Sequence, residues 1–180
     1  MVLYDLFNFI TGQVRSAAIV LSFETDQGYE TTYSVQGDPF VARYHTVDNF
    51  VDNNKREAAT IYLNHLIDLG VVIMNGLMIT TGPNFQQYVQ RLDLGRWGHY
   101  NVHNARCSVE NHLGRGNFLF LETGGPGRFH CTLQYPRYGQ DKTCVTKVEG
   151  RKKDARNLAF MEFAQQLFAA RKIPAALARH

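Results

Sequence analysis

The 180-residue chain is short of the features that mark several large protein classes. Cysteine occurs three times, at Cys107, Cys131 and Cys144, with no Cys-x-x-Cys pair. An odd, small count excludes a disulfide scaffold. The spacings of these cysteines and of His99, His103, His112 and His130 match no common structural zinc site. No apolar run approaches the roughly 18 residues that cross a bilayer, and the opening Met1–Asp5 lacks the basic stretch of a secretory signal. There is no Gly-x-x-x-x-Gly-Lys-Ser/Thr phosphate loop and no His-x-Glu with Pro-Cys-x-x-Cys of a deaminase. No paired carboxylates suggest a magnesium nuclease, and Cys107 beside His103 or His112 has no third group to orient it. The expectation is a soluble intracellular protein of nucleus or cytoplasm, with no membrane contact, no enzymatic activity, no metal and no cofactor.

What is present suits packed domains. Hydrophobic residues make up 44% and aromatics 12%, enough for real cores, and the length accommodates two small domains. The formal net charge of +3 hides a division. Residues 1–90 hold four basic side chains against nine acidic, a balance of −5, while residues 91–180 hold 15 against seven, a balance of +8. Such asymmetry points to a polyanion-binding half joined to one that is not.

Periodicity gives one order of elements twice. Leu3, Leu6, Phe7 and Ile10 form the stripe of a short helix. Strands are expected at Ala18–Thr25, Tyr29–Gln36 and Phe40–Val47, around Asp26-Gln27-Gly28 and Gly37-Asp38-Pro39. A long helix follows with Ala58, Ile61, Tyr62, His65, Leu66 and Leu69 inward and Gly70 as its stop. In the second half a helix over His103–Leu113, with Asn104 as N-cap, precedes strands Asn117–Glu122, Arg128–Tyr135 and Thr143–Val148. A last helix carries Ala155, Ala159, Phe163 and Leu167 at i,i+4 and is expected to run towards Pro174. Cys131 and Cys144 are expected to face inward, as are Phe118 and Phe120. The predicted domains are 1–74 and 101–173, with 75–100 as a linker in which Phe85–Leu92 forms at most a helical turn.

The strongest local signal is Gly150-Arg151-Lys152-Lys153-Asp154-Ala155-Arg156. Spacing of three and four gathers Lys152, Lys153 and Arg156 at the start of the last helix. There the helix dipole adds positive field, and such a cluster grips phosphate with salt-dependent affinity.

The α-β-β-β-α order, the Gly-Pro loop and Lys-Lys-x-Ala-Arg opening the last helix together resemble the double-stranded RNA-binding domain. The resemblance implies an α+β fold of two such domains, each a three-stranded antiparallel sheet packed under two helices. It also implies RNA contact at three places. Lys152, Lys153 and Arg156, helped by Arg151, would straddle the major groove. The loop Gly125, Pro126, Gly127 and Arg128 would enter one minor groove. Asn104, Ser108 and Asn111 on the first helix would meet 2′-hydroxyls in the next, across about 16 base pairs. The pattern departs from the family where Gly127-Arg128 replaces a His after Gly-Pro and Asn111 replaces a Glu. The first copy keeps only Lys55 and Arg56 of the basic triad, with Ala59 in place of the third cation. It is expected to bind RNA weakly, or to bind protein or a second copy.

Asn54-Lys55-Arg56-Glu57-Ala58 with Leu63-Asn64-His65-Leu66, and Arg96-Trp97-Gly98-His99-Tyr100, resemble the N-terminal domain pair of the RNA helicase A (maleless) group. That resemblance leaves open a stand-alone tandem protein or the accessory part of a helicase. A rival reading is a pure protein-interaction module of an RNA-processing or silencing complex.

Overall fold

The computed structural model describes residues 18–176, and the chain divides into two compact units after Asp93. The helix expected at Leu3–Ile10 lies outside the described residues. Dividing the chain there leaves the charge contrast intact. The first unit carries five basic and ten acidic side chains, the second 14 and six.

In the first unit β1 (Ala18–Thr25), β2 (Gly28–Val35) and β3 (Val41–Thr46) form an antiparallel sheet in sequence order. Period-two alternation lines up Val20, Tyr33 and Ala42 across the three strands, and Tyr33 and Ala42 are buried beneath α1 (Val51–Asp68). Ala58, Tyr62 and Leu66, at i,i+4 spacing, are the buried ridge of α1. Ile61 and Leu69, expected inward, sit on its exposed margin, because Leu63 and Asn54 complete the buried face instead. The helix ends in a Schellman turn: Gly70 N–H bonds Ile67 O and Val71 N–H bonds Leu66 O, both at 2.9 Å. Gly70 has φ +66°, where a side chain would be strained.

The stretch expected as a linker is built structure. β4 (Val72–Asn75) and β5 (Met78–Thr81) pair as a hairpin, and α2 (Phe85–Leu92) follows. Phe85, Tyr88 and Leu92 recur at i, i+3 and i+7, and all three are buried. That apolar stripe belongs to the first unit, and its polar tip is fixed there too. The hydroxyls of Tyr88 and Tyr62 donate to Asp38 Oδ2 at 2.9 and 2.6 Å.

In the second unit a 3-10 turn (Leu94–Trp97) leads to α3 (Ala105–Leu113), β6 (Leu119–Gly125), β7 (Arg128–Tyr135), β8 (Thr143–Glu149) and α4 (Lys152–Ala169). The strands form an antiparallel sheet in sequence order. Cys131, Leu133 and Val145 face α4, whose Ala155, Ala159, Phe163 and Leu167 are fully buried on the other side of the core. Small alanines let the helix sit low on the sheet, while burying each phenylalanine contributes about 2–3 kcal/mol. Register corrects the expectation for Cys144. It lies opposite Gln134, one residue out of phase with Leu133, and is therefore exposed. Burial pushes the Cys131 thiol up to about 11, which closes it to thiolate chemistry. Phe118 is buried as expected. Phe120 packs on Phe160 at 5.5 Å between centroids but stays on the exposed rim. Pro174 does not end α4. The helix stops at Ala169 in a second Schellman turn, with Arg171 N–H on Phe168 O (2.9 Å), Lys172 N–H on Leu167 O (2.8 Å) and Arg171 at φ +55°.

The described residues are α+β, and their sheets are antiparallel. Among the described residues no helix is long and apolar enough to cross a membrane.

Candidate nucleic-acid interface

α4 starts abruptly. Arg151 is its N-cap in extended conformation (φ −123°, ψ 138°) and contributes no capping bond, so Lys152 and Lys153 occupy the first two helical positions. The positive end of the helix dipole adds field to side chains already cationic, and Asp154 in the same turn offsets part of it. Arg151, Lys152 and Lys153 are exposed, and Arg151 and Lys153 have no ion pair among the described residues.

Arg156 is placed differently. Its Nε and Nη2 donate to Glu122 Oε1 and Oε2 at 2.7 and 2.9 Å, a bidentate pair between α4 and β6. Lys152 Nζ approaches the same carboxylate at 3.4 Å. Glu122 lies opposite Cys131, so its side chain leaves β6 on the face that α4 covers. Its side chain is 18% exposed, against 28% for Arg156 and 55% for Lys152. The Arg156 guanidinium holds the Glu122 carboxyl below its ordinary range, and Glu122 raises Arg156 in turn. Thus the triad expected to project together is split. Lys153 and Arg151 are free, Lys152 is loosely held, and Arg156 is clamped.

The other expected contacts converge on this end of the unit in part. β8 closes with Glu149 opposite Phe129, one residue past Arg128, so topology brings the β6–β7 turn and the start of α4 to the same end of the sheet. That turn is tight. Gly125 pairs with Arg128, leaving only Pro126 and Gly127 beyond the ladder, all of it uncovered except Gly125. On α3, Ala105, Val109 and Leu113 face the core. The opposite stripe carries Asn104, Cys107, Ser108 and Asn111. Asn111 Nδ2 donates to Cys107 Sγ at 3.4 Å, and both residues are exposed. Asn104 is the N-cap position, but its side chain does not cap the helix. Nδ2 donates to His99 O (3.0 Å) and Oδ1 accepts from Asn101 N–H (2.9 Å), so both ends are committed to the preceding turn.

For the nucleic-acid interface, the sequence reading named neither Glu122 nor His103. Glu122 is the acid that organises the cluster. His103 lies near enough to Lys153 that, after burial, the lysine's charge is the second cause lowering its basicity. Its place just ahead of the α3 stripe was the only signal, whereas the 34-residue separation of Glu122 from Arg156 gave none.

In the first unit Lys55 and Arg56 fall deeper in their helix. α1 begins at Val51, so the pair lies in its second turn, behind Asp52 and the buried Asn54, whose Nδ2 donates to Asp48 O at 3.1 Å. The matching β1–β2 turn, Asp26-Gln27 between Thr25 and Gly28, brings an acid instead of a base.

Among the described residues no three His, Cys, Asp or Glu side chains gather as a metal site. No protein-family model and no curated protein matches the chain.

Proposed function

We propose that the second unit binds double-stranded RNA by shape and charge, and that the chain is a pair of double-stranded RNA-binding domains of the kind the sequence resembles. The observation that carries this reading is the opening of α4. Three exposed cations, Arg151, Lys152 and Lys153, stand on the uncapped positive end of an 18-residue helix. Beside them are a polar α3 stripe and a Pro126-Gly127 turn, the three elements that A-form duplex recognition needs. Lysines take phosphates, while Ser108 and Asn111 offer hydrogen bonds to 2′-hydroxyls in the wide minor groove. The first unit lacks an equivalent field and serves as a protein-binding or weakly assisting domain.

Fluorescence anisotropy with a labelled duplex of about 20 base pairs tests this, since one domain covers about 16. The RNA duplex binds in preference to the DNA duplex of the same sequence. Lys152→Glu/Lys153→Glu lowers the RNA affinity roughly 100-fold at low salt. A wild-type protein that ignores the RNA duplex at low salt overturns the reading and makes the pair a protein-interaction unit.

A further inference from the structure

Among the cations of the α4 opening, Arg156 is singled out by its partner. A guanidinium seats a phosphate through the same parallel N–H fork that seats a carboxylate. In this protein the Nε/Nη2 edge of that fork is filled by both oxygens of Glu122. The same carboxylate draws Lys152 to 3.4 Å. Three geometric facts agree on the consequence. The pair is bidentate, it is the least exposed of the cluster's contacts, and it ties the second turn of α4 to the strand beneath it.

We infer that Glu122 governs the strength of the phosphate grip. It keeps Arg156 as the support of the cluster, outside the set of phosphate ligands, and restrains Lys152. Glu122 is thus a positioning residue that limits RNA affinity, and the free ligands are Lys153 and Arg151. This rests on the RNA-binding reading above. It departs from the expectation that Arg156 itself holds phosphate.

The test compares salt dependence of RNA-duplex binding for wild type, Glu122→Gln, Arg156→Gln and the double variant, with thermal melts confirming that each is folded. Each phosphate neutralised contributes about 0.9 to the slope of log affinity against log salt for a duplex. Glu122→Gln frees Arg156 to take one phosphate, so affinity rises several-fold and the slope steepens by about one. A role confined to stability would leave the slope unmoved. Arg156→Gln takes that gain away in the Glu122→Gln background.

A second measurement uses the wild-type chain alone. In proton–nitrogen spectra of the arginine Nε–H groups, the Arg156 signal stays in place as RNA is added, while that of Arg151 moves. Wild-type binding with no gain in Glu122→Gln, or an Arg156 signal that moves with RNA saturation, overturns this inference alone. Failure of the wild type to bind RNA overturns both readings.

Discussion

Both units carry a basic pair two residues ahead of a buried alanine, Lys55-Arg56 before Ala58 and Lys152-Lys153 before Ala155. What differs is where the helix begins. α1 starts four residues before its pair and α4 starts on it. The dipole field fades within the first turn. A basic pair therefore stands in a strong positive field in one unit and on an ordinary helix flank in the other. A motif's charge is set by its offset from the helix start as much as by its letters.

The units also close their cores differently, and the largest expected effect separates them there. Phe163 is wholly enclosed by α4, the sheet and Phe118, so Phe163→Ala costs about 3–5 kcal/mol and lowers the urea midpoint of the second unit's transition. The first unit instead joins its elements through a buried polar knot. The Asp38 carboxylate takes both tyrosine hydroxyls and the Phe40 N–H (2.9 Å), and the two hydroxyls lie 2.8 Å apart. Asp38→Ala leaves the two hydroxyls with only each other, at a cost of about 1–3 kcal/mol, and leaves the second unit's transition where it was.

Charge reversal sharpens the functional contrast. Lys55→Glu/Arg56→Glu changes RNA-duplex affinity by no more than roughly threefold, against the roughly 100-fold expected for the pair on α4. Equal losses in an anisotropy titration would erase the distinction between the two basic pairs.

Acid gives a third comparison. Burial would raise the Asp38 carboxyl, but the bonds from Tyr62, Phe40 and Tyr88 and the nearness of His65 together hold it below its ordinary value. A carboxyl depressed on folding stabilises fully above its unfolded value and less as pH falls through the folded one. Tyr88→Phe removes one donor, so the acid unfolding midpoint of the first unit, followed by tyrosine fluorescence, moves to higher pH. The second unit's midpoint does not move.

The smallest effect on stability is at the two helix stops. Gly70 and Arg171 hold the same left-handed position of equivalent Schellman turns. Gly70→Ala costs about 1 kcal/mol and Arg171→Gly gains about as much, readable as opposite shifts in melting temperature.

These stops also show what the sequence can disclose. Gly70 announced its helix end because glycine is the residue that position favours, while Arg171 gave no such sign and Pro174 drew attention too far along. Ala18–Thr25 and Arg128–Tyr135 were legible to the residue because β-branched and aromatic side chains alternate between turn residues. The hairpin over 72–81 was hidden among glycines, although Asn75-Gly76 between apolar runs is a turn signal. At the site, the basic opening and the α3 stripe could be read from local spacing. The clamp on Arg156 and the commitment of Asn104 could not, because each depends on a partner chosen by the fold.

Gly98 carries one more consequence. A side chain there would strike the Phe168 ring at 2.7 Å, so only glycine lets the entering chain lie against α4. Its carbonyl accepts the Ala176 N–H at 2.8 Å, and the Tyr100 hydroxyl donates to Pro174 O. The second unit is therefore a loop fastened at its own neck. Pulling on its two ends loads that neck first and leaves the sheet for later. Joining the ends with a short tether and reopening the chain at the exposed Gly139–Asp141 bend would give a permuted unit with the same core.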